Sequence, residues 1–131
     1  MKSIGRFITA ACIIAFGGIA VGKHFWRGET MTVSQAEKIW GKSEFNAELF
    51  RTGDSKTRAK MVGSLISSKW FLGKSVETIR KELGDWDGYY FSDMFPAYIV
   101  QDGRVEKGGT WQIVFLLDRD HKANEVIIHK N

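Results

Sequence analysis

Apolar positions along the chain change their period twice, and those changes divide it into three. Residues 7 to 22 carry no charge, and Phe7, Ile8, Ile13, Ile14, Phe16, Ile19 and Val21 give them a nearly continuous apolar surface. From Ser34 the period becomes helical. Ser34-Gln35-Ala36-Glu37 sets a hydroxyl and a carboxylate three apart, the capping-box spacing that satisfies free amides at a helix start. Ala36, Ile39 and Trp40 form the apolar face, which Gly41 and Ser43 interrupt and Phe45, Leu49 and Phe50 resume. Asp54 caps a second helix, where Ala59, Val62, Ile66 and Trp70 recur every three or four residues beside Met61 and Leu65. Ser75 caps a shorter helix bearing Val76, Ile79 and Leu83, and Gly84 stands where a left-handed terminator is needed.

After Gly84 the period becomes two. Tyr89-Tyr90-Phe91 predicts a first strand, Pro96 to Val100 a second, Thr110 to Leu117 a third and Glu125 to His129 a fourth. Asp102-Gly103 and the stretch from Asp118 to Asn124 supply turns between them. The third strand is apolar on both faces, which places it at the centre of the sheet. Helices followed by strands predict an α+β fold: two or three helices on a small antiparallel sheet, behind a signal or anchor helix.

The leader sets the address. Lys2 and Arg6 precede sixteen uncharged residues, and every acidic residue lies downstream, the order of a bacterial export signal or an N-terminal membrane anchor. Sixteen helical residues rise about 24 Å, short of a hydrocarbon core of about 30 Å. Ala20 and Gly22 place small residues where a signal peptidase cuts, so residues 1–22 read as a cleaved signal or a retained anchor. Cys12 has too short an apolar run before it for a lipid-modified cysteine, and it is the chain's only cysteine. The domain beyond it therefore has no disulfide or thiol chemistry.

Residues 23–33 predict a linker and 34–131 one domain. Two of the nineteen basic residues and none of the fifteen acidic ones lie in the leader, leaving the rest near +2. Basic and acidic residues alternate without the basic stripe of a nucleic-acid binder.

The junction from Leu72 to Asp87 resembles the BamE/SmpA-like domains, small bacterial envelope proteins. Ser75 matches their cap, Val76 and Ile79 their apolar helix positions, and Leu83-Gly84 and Asp87 their Leu-Gly-x-Pro-Asp, with Trp86 in place of the proline. The resemblance covers roughly residues 58–131. It implies an ααβββ-type layer and a non-catalytic role in the envelope, either scaffolding or inhibition.

Several chemistries are weak by residue type. Gly73-Lys74-Ser75 has Ser68 where a phosphate-binding loop needs its first glycine. Asp118 to Asn124 has Ala123 and His129 where a calcium loop needs Gly and Glu. Neither a metal site of His121, His129 and Asp118 or Asp120 nor a triad of Ser92, Asp93 and a histidine has a supporting local pattern. The expectation is no enzyme, no cofactor and no metal. The candidate surface is instead aromatic with an acidic rim: Trp86, Tyr90 and Tyr98 beside Asp85, Asp87 and Asp93, on a sheet face turned from the helices. Such a protein, periplasmic or held at the inner membrane, is expected to bind another envelope protein as a scaffold or interaction module. The alternatives are an immunity protein or inhibitor, and a small-ligand carrier with a pocket near Trp70 and Trp111.

Overall fold

The computed structural model describes residues 28–131; the expected leader, 1–22, lies outside them. Four helices and a four-stranded antiparallel sheet make an α+β domain. The elements run β1 (Thr30–Met31), α1 (Val33–Trp40), α2 (Ala47–Thr52), α3 (Ser55–Ser67), α4 (Val76–Leu83), β2 (Ala97–Gln101), β3 (Trp111–Leu117) and β4 (Ala123–Lys130). Strand order is β1-β4-β3-β2, so β3 is internal as its two apolar faces require. Among the described residues, no helix is long and apolar enough to cross a membrane.

Most helix ends follow local chemistry. Asp54 caps α3 by accepting the Thr57 amide at 2.9 Å, and Ser75 caps α4 by accepting that of Thr78 at 3.2 Å. Gly84 ends α4 with φ 90°. The first helix departs from expectation. Its cap is Thr32, not Ser34, and the box is closed by Gln35, whose Oε1 accepts the Thr32 amide at 2.8 Å. β1 ends at Met31, and the cap at Thr32 starts the helix directly after it. The stretch predicted as a linker up to residue 33 thus contributes a strand, pairing Thr30 with His129 and Met31 with Ile128.

One face of the sheet packs on the helices. Tyr98 and Val100 from β2, Ile113 and Phe115 from β3, and Ile128 from β4 meet Phe50, Val62, Leu65, Ile79 and Leu83 in one apolar cluster. Tyr98 sits edge-on to both Phe50 and Phe115, at 5.4 and 6.0 Å between ring centroids. Its buried hydroxyl donates to the Gly84 carbonyl at 2.7 Å, and burial pushes the phenol well above its ordinary pKa.

The opposite face is covered too, by an irregular segment rather than a strand. Residues 89 to 91 do not form the predicted strand; only an isolated bridge joins Tyr90 and Ser92. Tyr90 and Phe95 close instead over Ala97, Val114, Leu116 and Ile127, a second apolar cluster.

The outer edge of β2 is closed by side chains. Asp87 Oδ1 accepts the Ile99 amide at 2.9 Å, while Arg58 donates to the Ile99 carbonyl at 3.3 Å and to Asp87 Oδ2 at 3.0 Å. An edge strand whose outward groups are engaged in this way offers little to an added strand.

Candidate functional site

The segment from Asp85 to Phe95 gathers most of the residues that the sequence marks for recognition, but it sorts them differently. Tyr98 is not on a surface: alternation puts it beside Val100 on the helix-covered face, fully buried. Tyr90 is 7% exposed and points down onto the sheet. Trp86 is half-buried, edge-on to Tyr98, with the Arg80 guanidinium 4.6 Å from its ring centroid. Asp85 is exposed, 3.6 Å from Arg80, and Asp87 belongs to the edge closure of β2. The aromatic residues at the surface are instead the other two of the Tyr89-Tyr90-Phe91 run. Tyr89 and Phe91 are 53% and 58% exposed, and Met94 lies open beside them.

How this segment is held follows from one buried polar side chain. Gln112 sits in β3 between Trp111 and Ile113, fully buried, with its side chain on the outer face. Its Oε1 accepts the Tyr89 amide at 2.9 Å, and its Nε2 donates to the Tyr89 carbonyl at 2.7 Å. A side-chain amide thus pairs with one backbone residue as a strand neighbour would, meeting donors and acceptors that burial leaves without water. Gly88 permits this approach: a Cβ there would collide with Gln112 Oε1 and lie 2.9 Å from the Ala97 carbonyl oxygen.

Gln112 Nε2 also lies 3.1 Å from His129 Nδ1. Thr30, His129, Gln112 and Ile99 are successive register partners, a row crossing all four strands on this face. The His129 ring packs edge-to-face with Tyr90, 4.9 Å between centroids, and burial holds its pKa below the ordinary value.

Beyond Tyr90 the chain makes a tight reversal. The Ser92 amide donates to the Tyr90 carbonyl at 2.6 Å, an i to i+2 bond, and Phe91 between them has φ 60°. This is a γ-turn of the rare positive-φ kind, costly for a bulky L residue. Tyr89 Oη donates to the Phe91 carbonyl at 2.7 Å and steadies it. The result is a half-exposed ring, edge-to-face on Tyr90 at 4.6 Å between centroids, on a tight reversal with exposed Tyr89 and Met94 near it in the chain and Asp93 beside them.

Other sequence-marked groups are occupied structurally. Gly73 and Lys74 bond Ala123 through their backbones, and Ser75 caps α4, leaving no phosphate cradle. Asp118 Oδ1 accepts the amides of Asp120 and Lys122, which closes the β3–β4 turn. His121 is exposed in that turn, and His129 faces an amide, not a carboxylate. Among the described residues, no group of three His, Cys, Asp or Glu side chains is placed to hold a metal ion. Trp111 lines an open groove of about 350 Å³ with Met31 and Ile39, whereas Trp70 packs on Phe45 at 5.0 Å and under Lys74 at 4.7 Å.

The reversal at Phe91 escaped the sequence reading because alternating exposure in a covering segment has the same period as a strand. Gln112, a polar residue amid apolar strand neighbours, was the signal available, but nothing local assigns it a partner 23 residues away. Comparison of the chain with protein-family models, with curated proteins and with solved structures finds no match.

Proposed function

We propose that this chain is a non-enzymatic protein-binding module of the bacterial cell envelope, exported or held at the membrane through residues 1–22. On this reading it captures a partner protein through the Tyr89–Met94 reversal. The observation that carries the reading is Phe91: a large aromatic ring, more than half exposed, kept in a backbone conformation that costs about 1–2 kcal/mol. Strain of this kind persists where surrounding structure over-determines it, and it clusters at binding sites. Two exposed aromatic rings and a methionine on a hydrogen-bonded turn supply contact area with little ordering entropy left to lose on binding. The export-type leader and the resemblance to BamE/SmpA-like domains support the envelope location and the non-catalytic role. A scaffold and an inhibitor both fit this surface; they differ in whether the captured partner is an enzyme that loses activity.

A photo-crosslinking residue at position 91 tests the reading. It should give one discrete adduct in intact envelopes, and the same residue at Val105, 77% exposed, should give none. Equal labelling from both positions overturns it. The groove beside Trp111 favours a second reading, a carrier of a small apolar ligand. It predicts a saturable thermal shift with one ligand class that Trp111→Ala abolishes.

A further inference from the structure

The clamp on the aromatic segment contains a titratable group whose hydrogen-bonding role is dictated by its neighbours. The Tyr89 amide can only donate and its carbonyl can only accept, so Gln112 must present Oε1 to the first and Nε2 to the second. The remaining Nε2 hydrogen is what His129 Nδ1 meets at 3.1 Å. Nδ1 must then accept, and the neutral ring carries its proton on Nε2.

We propose that His129 is an acid-operated latch on the aromatic segment: a proton on Nδ1 sets one N–H against another, and the segment comes off the sheet. Neither orientation of the Gln112 amide suits the charged ring. If Gln112 stays, two donors oppose each other at 3.1 Å. If its amide flips to offer Oε1 to the imidazolium, both bonds to Tyr89 become mismatched, donor to donor and acceptor to acceptor. Either way a buried polar contact is lost, a cost of the size that controls local opening.

Among the described residues, the groups that face the ring carry no charge to exchange with it. From β3 it faces Gln112, from the covering segment Tyr90, and from the β1 side Gly28 and Thr30, all neutral at these pH values. The charged residues beside these, Glu29 and Lys130, are drawn to each other at 3.8 Å, and Asp87 at the head of the segment is held by Arg58. Burial depresses the folded-state pKa of His129. The closed state is therefore fully stabilised above the ordinary value near 6.5 and loses that stability as pH falls through the depressed one. As control over partner capture, the latch rests on the function proposed above; the opening itself needs no partner.

Hydrogen exchange of the full chain in detergent micelles, corrected for the intrinsic pH dependence of exchange, reads the latch directly. Between pH 7.5 and 5.0, residues 86 to 96 should lose protection at least tenfold while β3 and β4 keep theirs. His129→Phe, which keeps a ring against Tyr90 but takes no proton, should abolish the pH dependence. Unchanged protection in the wild type, or the same loss in His129→Phe, overturns the proposal. If that variant does not fold, nitrogen NMR of the wild-type His129 ring decides. Nδ1 should be the unprotonated nitrogen at pH 7.5, and the Tyr89 amide should shift with the ring's own midpoint; a different tautomer or midpoint overturns the latch. Partner crosslinking at position 91 is a separate measurement, so either result can fail alone.

Discussion

The two faces of the sheet are both apolar and both covered, yet they are covered by different means. On the helix side, three rings (Phe50, Tyr98 and Phe115) and a set of branched aliphatics interlock, contributed by several helices and three strands. On the other side one irregular segment lies over four aliphatic or alanine side chains. Its position depends on Gln112 and on the closure of the β2 edge by Arg58 and Asp87. The first cover is non-directional and redundant, so losing one contact leaves many. The second is directional and sparse: it places its atoms accurately while its own opening costs far less than global unfolding. That combination suits a recognition surface better than a core.

Truncation on the helix side should give the largest effect. Phe115→Ala removes a fully buried ring that touches Tyr98 and Phe71. It should destabilise the fold by about 4 kcal/mol in urea titration of the full chain, the range for a buried Phe cut to Ala. Residues 86 to 96 should unfold together with everything else. An equal loss confined to those residues would erase the distinction between the faces.

Gln112→Ala attacks the other cover. It leaves the Tyr89 N–H and C=O without their partners, and the expected loss is about 2–3 kcal/mol. Here the readout should be local, with exchange at residues 86 to 96 becoming fast while the helices and β3 stay protected. If the whole domain melts instead, the covering segment is part of the cooperative core and the comparison fails.

The same contrast explains what the sequence disclosed. Helix caps at Asp54 and Ser75 and the terminator at Gly84 were legible because a cap is a contact between residues three or four apart. The face of Tyr98 is not legible in the sequence, because Ala97 and Ile99 on one side and Tyr98 and Val100 on the other are all apolar. Two covered faces give no polar row to mark the outside. Residues 89 to 91 alternate as a strand would, yet they form no strand. Tyr89 and Phe91 do share one side and Tyr90 the other, but the side chain that points inward is Tyr90. Nothing within the segment distinguishes a strand from a cover; the difference is made by Gln112, supplied from β3. The cap of α1 moved from Ser34 to Thr32 for a related reason, since the pairing of β1 with β4 is a long-range contact.

The smallest expected effect is also the one that separates recognition from stability. Glycine adopts φ 60° freely, so Phe91→Gly relieves a strain of about 1–2 kcal/mol. Against this stands the greater freedom of glycine in the unfolded chain, about 0.5–1 kcal/mol. Lost as well is the edge-to-face contact of the ring with Tyr90, 4.6 Å between centroids, worth about 0.5–1.5 kcal/mol. The three contributions nearly cancel, so stability should stay within about 0.5 kcal/mol of the wild type, read as an almost unmoved urea midpoint with an unchanged slope. The same substitution should abolish capture of the partner that crosslinks from the reversal, scored by a crosslinker moved to Met94. A residue that serves only packing would, when replaced, lower stability and leave capture unchanged. Unchanged stability with capture lost is the signature of a side chain kept for what it touches outside the molecule.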